Sequence, residues 1–188
     1  MRAWLITPHI DERYISTLAL YLPTIAVDGI ICRTQNKKWL NEFVKHISPL
    51  SKILLLNLPF NSLLETISLS ASFQGVHLKS HLMNYITPLK NAYLEEFAEQ
   101  KIIGYSAHSI AEVESALALG ADYCTLSPIF PTPNKGTPLG LETLNKIPYT
   151  IRSRVIALGG INHTHIPILK TLGLGGYAGI RCFLESKR

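Results

Sequence analysis

The stretch IIGYSAHSIAEVESALALGADYCTLSP, residues 102–128, has the pattern of a strand, a helix and a second strand. Its first and last six residues, IIGYSA and YCTLSP, are apolar runs bounded by turn signals, which is typical of buried strands. Between them Ser109 is a predicted helix cap, Glu112 completes a capping box, and Gly120 ends the helix. Parallel strands need a connection of this length, so the stretch predicts a unit of a parallel α/β fold.

The same pattern recurs along the whole chain of 188 residues. The eight predicted strands are AWLIT (3–7), DGIICR (28–33), KILLLN (52–57), GVHLK (75–79), IIGYSA (102–107), YCTLSP (123–128), VIALGG (155–160) and GYAGIR (176–181). Eight such units predict a (β/α)₈ TIM barrel that forms a single domain over residues 1–188. An open doubly wound sheet is the alternative, and the absence of an early G-x-G-x-x-G pattern favours the barrel.

The chain is short for a barrel, which typically needs about 250 residues, so the sequence predicts a compact barrel with trimmed helices. The segment 80–92 is the weakest predicted crossover, because it contains Pro88 and shows little helical periodicity.

The composition of the chain limits which classes of partner the protein is expected to bind and which compartment it is expected to occupy. No run of 18 apolar residues and no secretory signal occurs in the sequence, so we expect a cytoplasmic protein without a membrane partner. The three cysteines lack C-x-x-C spacing and are expected to be buried free thiols. The net charge of +5 is spread in singles and pairs, which argues against nucleic-acid binding and suits an anionic small molecule. The sequence does not fix the oligomeric state, and a homo-oligomer remains open.

In a TIM barrel the active site lies where the strands end. The polar residues at or just after the predicted strand ends are Thr7, His9, Arg33, Gln35, Asn57, Lys79, Ser80, His81, Ser106, His108, Ser127, Lys135, Gly159, Gly160 and Arg181. These residues are mainly neutral or cationic, and only Asp11 and Glu12 supply carboxylates nearby. Because Mg²⁺ prefers carboxylates, the sequence predicts a phosphate site and no metal held by the protein.

Two features after the sixth and seventh strands indicate phosphate binding. Gly159 and Gly160 follow the seventh strand, where barrel enzymes bind phosphate through backbone N–H groups, although a plain turn has the same pattern. Lys135 lies in the proline-rich loop SPIFPTPNKGTPLG, residues 127–140, and is predicted to be a point charge for phosphate; an incidental lysine on a rigid loop is the alternative.

The end of the eighth strand contributes two further candidates. Ile180 and Arg181 are predicted to contact the substrate. Arg181 is expected to bind the same anion as the glycine pair, unless it is an ordinary arginine at the barrel edge.

The histidines divide into two groups. His9, His81 and His108 follow strands and are candidates for acid–base chemistry, although for any one of them a structural role is favoured over a catalytic one. His163 and His165 flank Thr164 at a helix start, which favours a solvated or capping role.

Residues 104–144 and 154–180 resemble a known family. The patterns G-x-S-x-H, GADY, F-P-T-x-x-K and A-x-G-G-I occur there in order, as they do in the family of thiamine phosphate synthase and TenI-like thiazole tautomerase. Weaker similarity at Arg33, Asn57 and GVHL (75–78) extends the resemblance over most of the chain.

The resemblance implies roles for individual positions. The synthase joins hydroxymethylpyrimidine diphosphate to a thiazole phosphate and releases diphosphate. The implied diphosphate contacts are Arg33, Ser106 and Lys135, and Asn57 matches the pyrimidine-side asparagine. The implied thiazole phosphate contacts are Thr132, Pro133, Asn134 and Gly160.

Four positions depart from the family pattern. The two aspartates that bind Mg²⁺ in the synthase are replaced by Leu58 and Leu82, and a companion lysine is replaced by Gln35. Loss of the metal's charge stabilisation is expected to slow the synthase reaction on the order of a thousandfold, with Lys79 compensating in part. The catalytic histidine of the tautomerase falls at Pro128, so His81 or another histidine must replace it, with Lys135 as the other catalytic candidate.

Three functional hypotheses follow from these departures. The leading one is a tautomerase of the TenI type that binds a thiazole phosphate without a cofactor. The second is a thiamine phosphate synthase, which also binds hydroxymethylpyrimidine diphosphate and uses Mg²⁺ if that activity is retained. The third is a binding protein of the same family that lacks catalysis.

Overall fold

The computed structural model of the protein describes residues 1–34, 36–51, 53–59, 61–97, 100–180 and 182–183. Within them, eight parallel strands close into a barrel in sequence order, and β1 pairs with β8. The strands are β1 (Arg2–Ile6), β2 (Gly29–Arg33), β3 (Leu54–Asn57), β4 (Gly75–Leu78), β5 (Ile102–Ala107), β6 (Tyr123–Leu126), β7 (Val155–Leu158) and β8 (Gly176–Gly179). The predicted (β/α)₈ barrel and its eight strands are confirmed, and the open doubly wound sheet is wrong.

Short helices connect the strands, as the sequence predicts. The α-helices of the described residues are α1 (Glu12–Tyr21), α2 (Leu40–Ile47), α3 (Leu63–Ser70), α4 (Ile86–Phe97), α5 (Ile110–Ala118), α6 (Gly140–Asn145), α7 (Tyr149–Arg152) and α8 (Ile166–Thr171). Helices α6 and α7, of six and four residues, share the crossover between β6 and β7. None of the helices in this part of the chain is both long and apolar enough to cross a bilayer.

The prediction that residues 80–92 form the weakest crossover is wrong. A 3₁₀ helix over Ser80–Tyr85 leads into α4, whose 12 residues make it the longest helix in the described part of the chain. Pro88 lies in the first turn of α4, where a backbone N–H has no partner within the helix to lose. The buried residues Ile86, Leu89 and Tyr93 form the apolar face of α4, and the last of them lies just beyond the segment that seemed aperiodic.

Helix α5 begins as predicted, with one difference in the cap. The Ser109 hydroxyl accepts a hydrogen bond from the Glu112 N–H at 3.1 Å. The Glu112 carboxylate accepts from the N–H of His108 at 3.0 Å, one residue before the cap. The helix start is therefore tied to the end of β5, which fixes the backbone of His108.

Two aromatic rings fill the centre of the barrel. Trp4 and Tyr123 stack with their ring centroids 5.2 Å apart. Glycines on neighbouring strands make room for them, because a Cβ added to Gly29 would lie 2.6 Å from the Trp4 ring and one on Gly104 would lie 2.3 Å from the Tyr123 ring. The buried residues that complete this interior cluster are Ile6, Ile31, Leu55, Ile156 and Ala178.

The main hydrophobic core lies between the barrel and its helices, and it includes two of the three cysteines. Cys182 is only half-buried, so the prediction that all three cysteines are buried is wrong for this residue. Cys32 and Cys124 are buried free thiols, as predicted, and burial raises the pKa of both. Neither thiol is therefore a reactive thiolate near neutral pH.

Candidate active site at the carboxyl ends of the strands

The carboxyl ends of the strands form one mouth of the barrel, and the described candidate residues surround it. Arg33 and Asn57 end β2 and β3 and are partners in strand register, and Lys79 follows β4 directly. The candidates on the other half of the mouth are Ser106 within β5, Gly159 after β7 and Ile180 after β8. Gln35 and Arg181 lie outside the described residues. The structure therefore brings the described candidates to one end of the barrel, as predicted.

Hydrogen bonds fix the backbone at the β2 and β3 ends. The Arg33 N–H donates to the Thr7 hydroxyl at 2.8 Å, and that hydroxyl lies 3.1 Å from the Arg33 carbonyl oxygen. Asn57 is buried, and its Nδ2 donates to the carbonyl oxygen of His77 on the neighbouring strand. The Arg33 side chain, by contrast, is exposed at the mouth. The side chains of Arg33 and Asn57 thus extend from strand ends whose backbone is fixed. The Arg33 side chain is directed toward solvent, and the Asn57 side chain lies within the barrel.

Three cations at the mouth have no acidic partner. Within the ranges given above, no carboxylate pairs with Arg33, Lys79 or Lys135. Lys37, on the 3₁₀ turn after β2, shows the contrast, because it pairs with Glu65 on α3. Unpaired cations that converge on one opening favour an anionic ligand there.

Carboxylates that could hold Mg²⁺ are scarce at this mouth. Asp11 caps α1 by accepting from the Tyr14 N–H at 2.7 Å. The two positions where the synthase pattern has aspartate are Leu58, which is half-buried, and Leu82, which is packed in the core. No group of three or more His, Cys, Asp or Glu side chains converges for a metal in the described part of the chain. The donors present therefore do not fit a protein-held Mg²⁺ ion.

The loop of residues 127–139 lies directly on the glycine pair after β7. The Phe130 N–H donates to the Gly159 carbonyl oxygen at 3.0 Å, and the Phe130 ring stacks on His165 at a centroid distance of 3.7 Å. A Cβ added to Gly159 would lie 3.3 Å from the Thr132 hydroxyl oxygen. Thr132 and Gly159, which the sequence placed in two separate loops, are therefore neighbours.

Both glycines are required by this packing. Gly159 and Gly160 have φ values of +95° and +65°, in the left-handed region that favours glycine. Within the described residues, the N–H groups of Gly160 and Ile161 donate to no protein acceptor. Exposed backbone donors beside a hydroxyl are suited to bind a phosphate.

Lys135 lies at the exposed tip of the loop. The base of the loop is closed by bonds from Leu139 N–H to the Pro128 oxygen at 2.8 Å and from Gly140 N–H to the Ile129 oxygen at 3.0 Å. At the tip, the Lys135 N–H donates to the Thr132 oxygen at 3.2 Å. Pro133 and Asn134 lie exposed in this turn, and Asn134 has a φ of +59°. The structure places Lys135 at the exposed tip of the loop that packs on the glycine pair, and its contact with a ligand stays a prediction.

The exposed histidines at the mouth differ in how they are held. His108 Nδ1 lies 2.8 Å from the Ser127 carbonyl oxygen, so Nδ1 carries a proton and Nε2 faces away from this bond. His9 and His81 are exposed, and neither ring has a hydrogen bond to another described residue. His165 accepts from the Asn162 N–H at 3.3 Å, which confirms its predicted capping role. Among the predicted acid–base candidates, His108 is the oriented one.

One central residue, His77, was not predicted as part of the site. Its side chain is 5% exposed and lies inside the barrel. His77 Nδ1 lies 2.9 Å from the Tyr123 hydroxyl, and Nε2 lies 2.9 Å from the Ser106 hydroxyl. A chain of hydrogen bonds therefore runs from Tyr123 through His77 to Ser106 at the mouth.

Burial sets the charge of His77. It lowers the pKa of the ring from 6.5 to about 3, so His77 is neutral at physiological pH and has one N–H donor and one acceptor nitrogen. The sequence does contain a signal that would have identified His77. It is a polar residue on β4, two positions before Lys79, and alternate residues of a strand share a face. We interpret His77 as a residue that orients the Ser106 hydroxyl.

Comparison with known proteins gives a consistent result. The family model described as thiamine monophosphate synthase matches residues 5–183. The chain is 34% identical over 152 residues to "Putative thiamine-phosphate synthase 2" of Aquifex aeolicus, covering 78% of this chain and 76% of that protein. It is 36% identical over 121 residues to "Putative thiamine-phosphate synthase" of Geobacter sulfurreducens, a match that spans 63% of this chain and 54% of the relative.

Solved structures are similar in fold. The thiamine phosphate pyrophosphorylase from Pyrococcus furiosus matches with a TM-score of 0.71 and 23% identity, covering 96% of this chain and 85% of that one. The enzyme of the same name from Bacteroides thetaiotaomicron matches with a TM-score of 0.67 and 20% identity, covering 100% and 86%. At these identities the similarity extends to the barrel fold.

Proposed function

Because this chain belongs to the thiamine monophosphate synthase family, we propose that it joins hydroxymethylpyrimidine diphosphate to a thiazole phosphate and releases diphosphate. The names of its relatives favour this reaction over the tautomerase type expected from the sequence. Both reactions share the phosphorylated thiazole as ligand, so the thiazole phosphate site is common to the two proposals.

The observation that carries the proposal is the set of unpaired cations at the mouth. Arg33, Lys79 and Lys135 lack carboxylate partners among the described residues, and the Ser106 hydroxyl on β5 is held by His77. A diphosphate carries several negative charges, and Arg and Lys are the residues that bind such groups. The arrangement supports a diphosphate site on the β2 to β6 side of the mouth.

The reaction requires mainly that the protein supplies positive charge and holds the two substrates in position. The carbon–oxygen bond to diphosphate breaks with its electron pair on the leaving oxygen, and a carbon–nitrogen bond forms to the thiazole ring. Cations that face the leaving group stabilise the charge that builds on it, and one such donor is typically worth about 100-fold or more in rate. The thiazole phosphate would lie at Thr132, Gly159 and Gly160, which holds the ring near the reacting carbon.

A second candidate function rests on His108. A tautomerase moves a proton between two positions of a thiazole carboxylate phosphate, and it needs an oriented acid–base group but no carboxylate ligands. The Nδ1–H of His108 is held by the Ser127 oxygen, which leaves Nε2 available as a base beside the mouth. This histidine is a better candidate than His81, whose ring is exposed without such a bond.

The two functions are separated by one set of incubations. We expect the purified protein to form thiamine phosphate and an equal amount of diphosphate from the two synthase substrates, tested with and without Mg²⁺. Each substrate alone is the control. Absence of thiamine phosphate together with isomerisation of the thiazole carboxylate phosphate, lost in His108→Gln, would replace the synthase proposal with the second candidate.

Lys135→Ala is expected to weaken binding of hydroxymethylpyrimidine diphosphate by about 1.5–3 kcal/mol, the range for hydrogen bonds to charged groups. The side chain is exposed, so we expect no measurable change in folding stability. Lys146→Ala, another exposed lysine after α6, is the matched control and should bind as wild type does. Calorimetric titration measures both. Equal affinity of wild type and Lys135→Ala would remove Lys135 from the diphosphate site.

A further inference from the structure

A second cavity lies at the opposite end of the barrel, where the strands begin. Its volume is about 330 Å³, which is within the size range of small-molecule sites. The apolar and aromatic wall of the cavity consists of Trp4, Ile102, Tyr123 and Ile156. Arg2 and Arg154 also line the cavity and lie beside the strand starts. None of these residues lies at the mouth described above, although Tyr123 is linked to Ser106 there through His77.

Trp4 forms part of the inner wall of this cavity and has little exposed surface. The side chain is 2% exposed, and its indole Nε1 is buried without a hydrogen-bond partner among the described residues. The five-membered ring lies toward β8, because a Cβ added to Gly176 would lie 3.4 Å from Cδ1, and Gly175 on that side lines the cavity. Because Nε1 has no accessible surface, it is not open to the cavity, and only the ring of Trp4 contributes to the wall.

The charges at the cavity are predominantly positive. Arg154 is held in place by hydrogen bonds from Nε to the Asp122 carbonyl oxygen at 3.0 Å and from Nη2 to the Ala121 carbonyl oxygen. The Asp122 carboxylate accepts from the Ile103 N–H at 2.7 Å. The Arg2 guanidinium is exposed, and no described carboxylate pairs with it. Two guanidinium groups therefore face one carboxylate around the opening.

We propose that this cavity binds a small planar aromatic anion. Its ring would contact Trp4 and Tyr123, and its carboxylate or phosphate would pair with Arg2. Aromatic walls contribute area, and a guanidinium is suited to bind a planar anion. These two features lie together at the amino ends of the strands.

The test uses the indole N–H resonance of Trp4 in nitrogen-15-labelled protein. The chain has two tryptophans, so Trp39→Phe leaves Trp4 as the single indole signal. The probes are 2-naphthoate and phenyl phosphate, each titrated to about 10 mM, tenfold above a Kd of about 1 mM. We expect a saturable change in chemical shift with at least one anion, because its ring contacts that of Trp4, and a much weaker response to neutral 2-naphthamide.

Two variants locate the binding. Arg2→Ala should weaken binding of the anionic probe by about tenfold or more, because it removes a charged hydrogen bond. Lys45→Ala, an exposed cation on α2 outside the cavity, should have no effect. The proposal is overturned if neither probe gives a saturable shift, if 2-naphthamide binds as tightly as 2-naphthoate, or if Arg2→Ala binds as wild type does.

Discussion

Gly160→Ala is expected to weaken binding of the thiazole phosphate by about 100-fold or more. A Cβ at this position would lie 2.6 Å from the Pro131 oxygen and 2.7 Å from the Phe130 Cβ, and the φ of +65° is unfavourable for alanine. Since two of the nearest atoms belong to the backbone of residues 130 and 131, the loop must move away from the glycine pair. Displacement of about 1 Å at a positioned site costs on the order of 100-fold.

The matched control is Gly136→Ala in the same loop. Gly136 is exposed, and an added Cβ would have no neighbour within 4 Å, so we expect unchanged affinity and stability. Titration of both variants with thiazole phosphate, alongside thermal unfolding, separates loss of the site from loss of the fold. If Gly160→Ala were folded and bound the ligand as Gly136→Ala does, the phosphate would not lie at the glycine pair.

The second large effect is a loss of stability in acid that depends on His77. Burial lowers the pKa of this ring from 6.5 to about 3. Between these two values the unfolded chain binds a proton that the folded protein excludes, so the free energy of unfolding falls as the pH falls. One such proton contributes up to about 1.4 kcal/mol per pH unit. The full contribution is present above pH 6.5 and is lost progressively toward pH 3.

Urea denaturation at several pH values between 7 and 4 measures this contribution. His77→Gln should be less stable than wild type at pH 7, because its hydrogen bonds to Tyr123 and Ser106 change, but its stability should fall less steeply with pH. His163→Gln replaces an exposed histidine and should lose stability in parallel with wild type. Parallel slopes for wild type and His77→Gln would contradict a neutral buried His77.

The sequence predicted the barrel well because most residues of its strands are buried. Each appears as a continuous apolar run with turn signals around it, and all eight lie within two residues of their observed bounds. Helix α4 was misjudged because a proline within the first turn was treated as a helix breaker. Tyr93, the third buried residue of α4, lies outside the segment 80–92 to which the prediction applied.

The site was predicted less completely, for a physical reason. Residues that end a strand, such as Arg33 and Asn57, can be placed at the mouth from order alone. Contacts that depend on barrel curvature cannot be predicted from the order of the strands. The hydrogen bond between His77 and Ser106 was therefore missed. The resemblance implied that Thr132 and Gly160 contact one phosphate, and the structure shows Thr132 beside the adjacent Gly159, where Phe130 bonds to Gly159 and stacks on His165.

The most direct test of the account is a pair of calorimetric titrations on the wild-type protein, one with thiazole phosphate and one with the same thiazole lacking the phosphate. If the N–H groups of Gly160 and Ile161, which donate to no described acceptor, bind the phosphate beside Thr132, the phosphorylated ligand should bind about 100-fold tighter, the equivalent of two hydrogen bonds to a charged group. Equal affinities for the two compounds would contradict a phosphate site at this mouth.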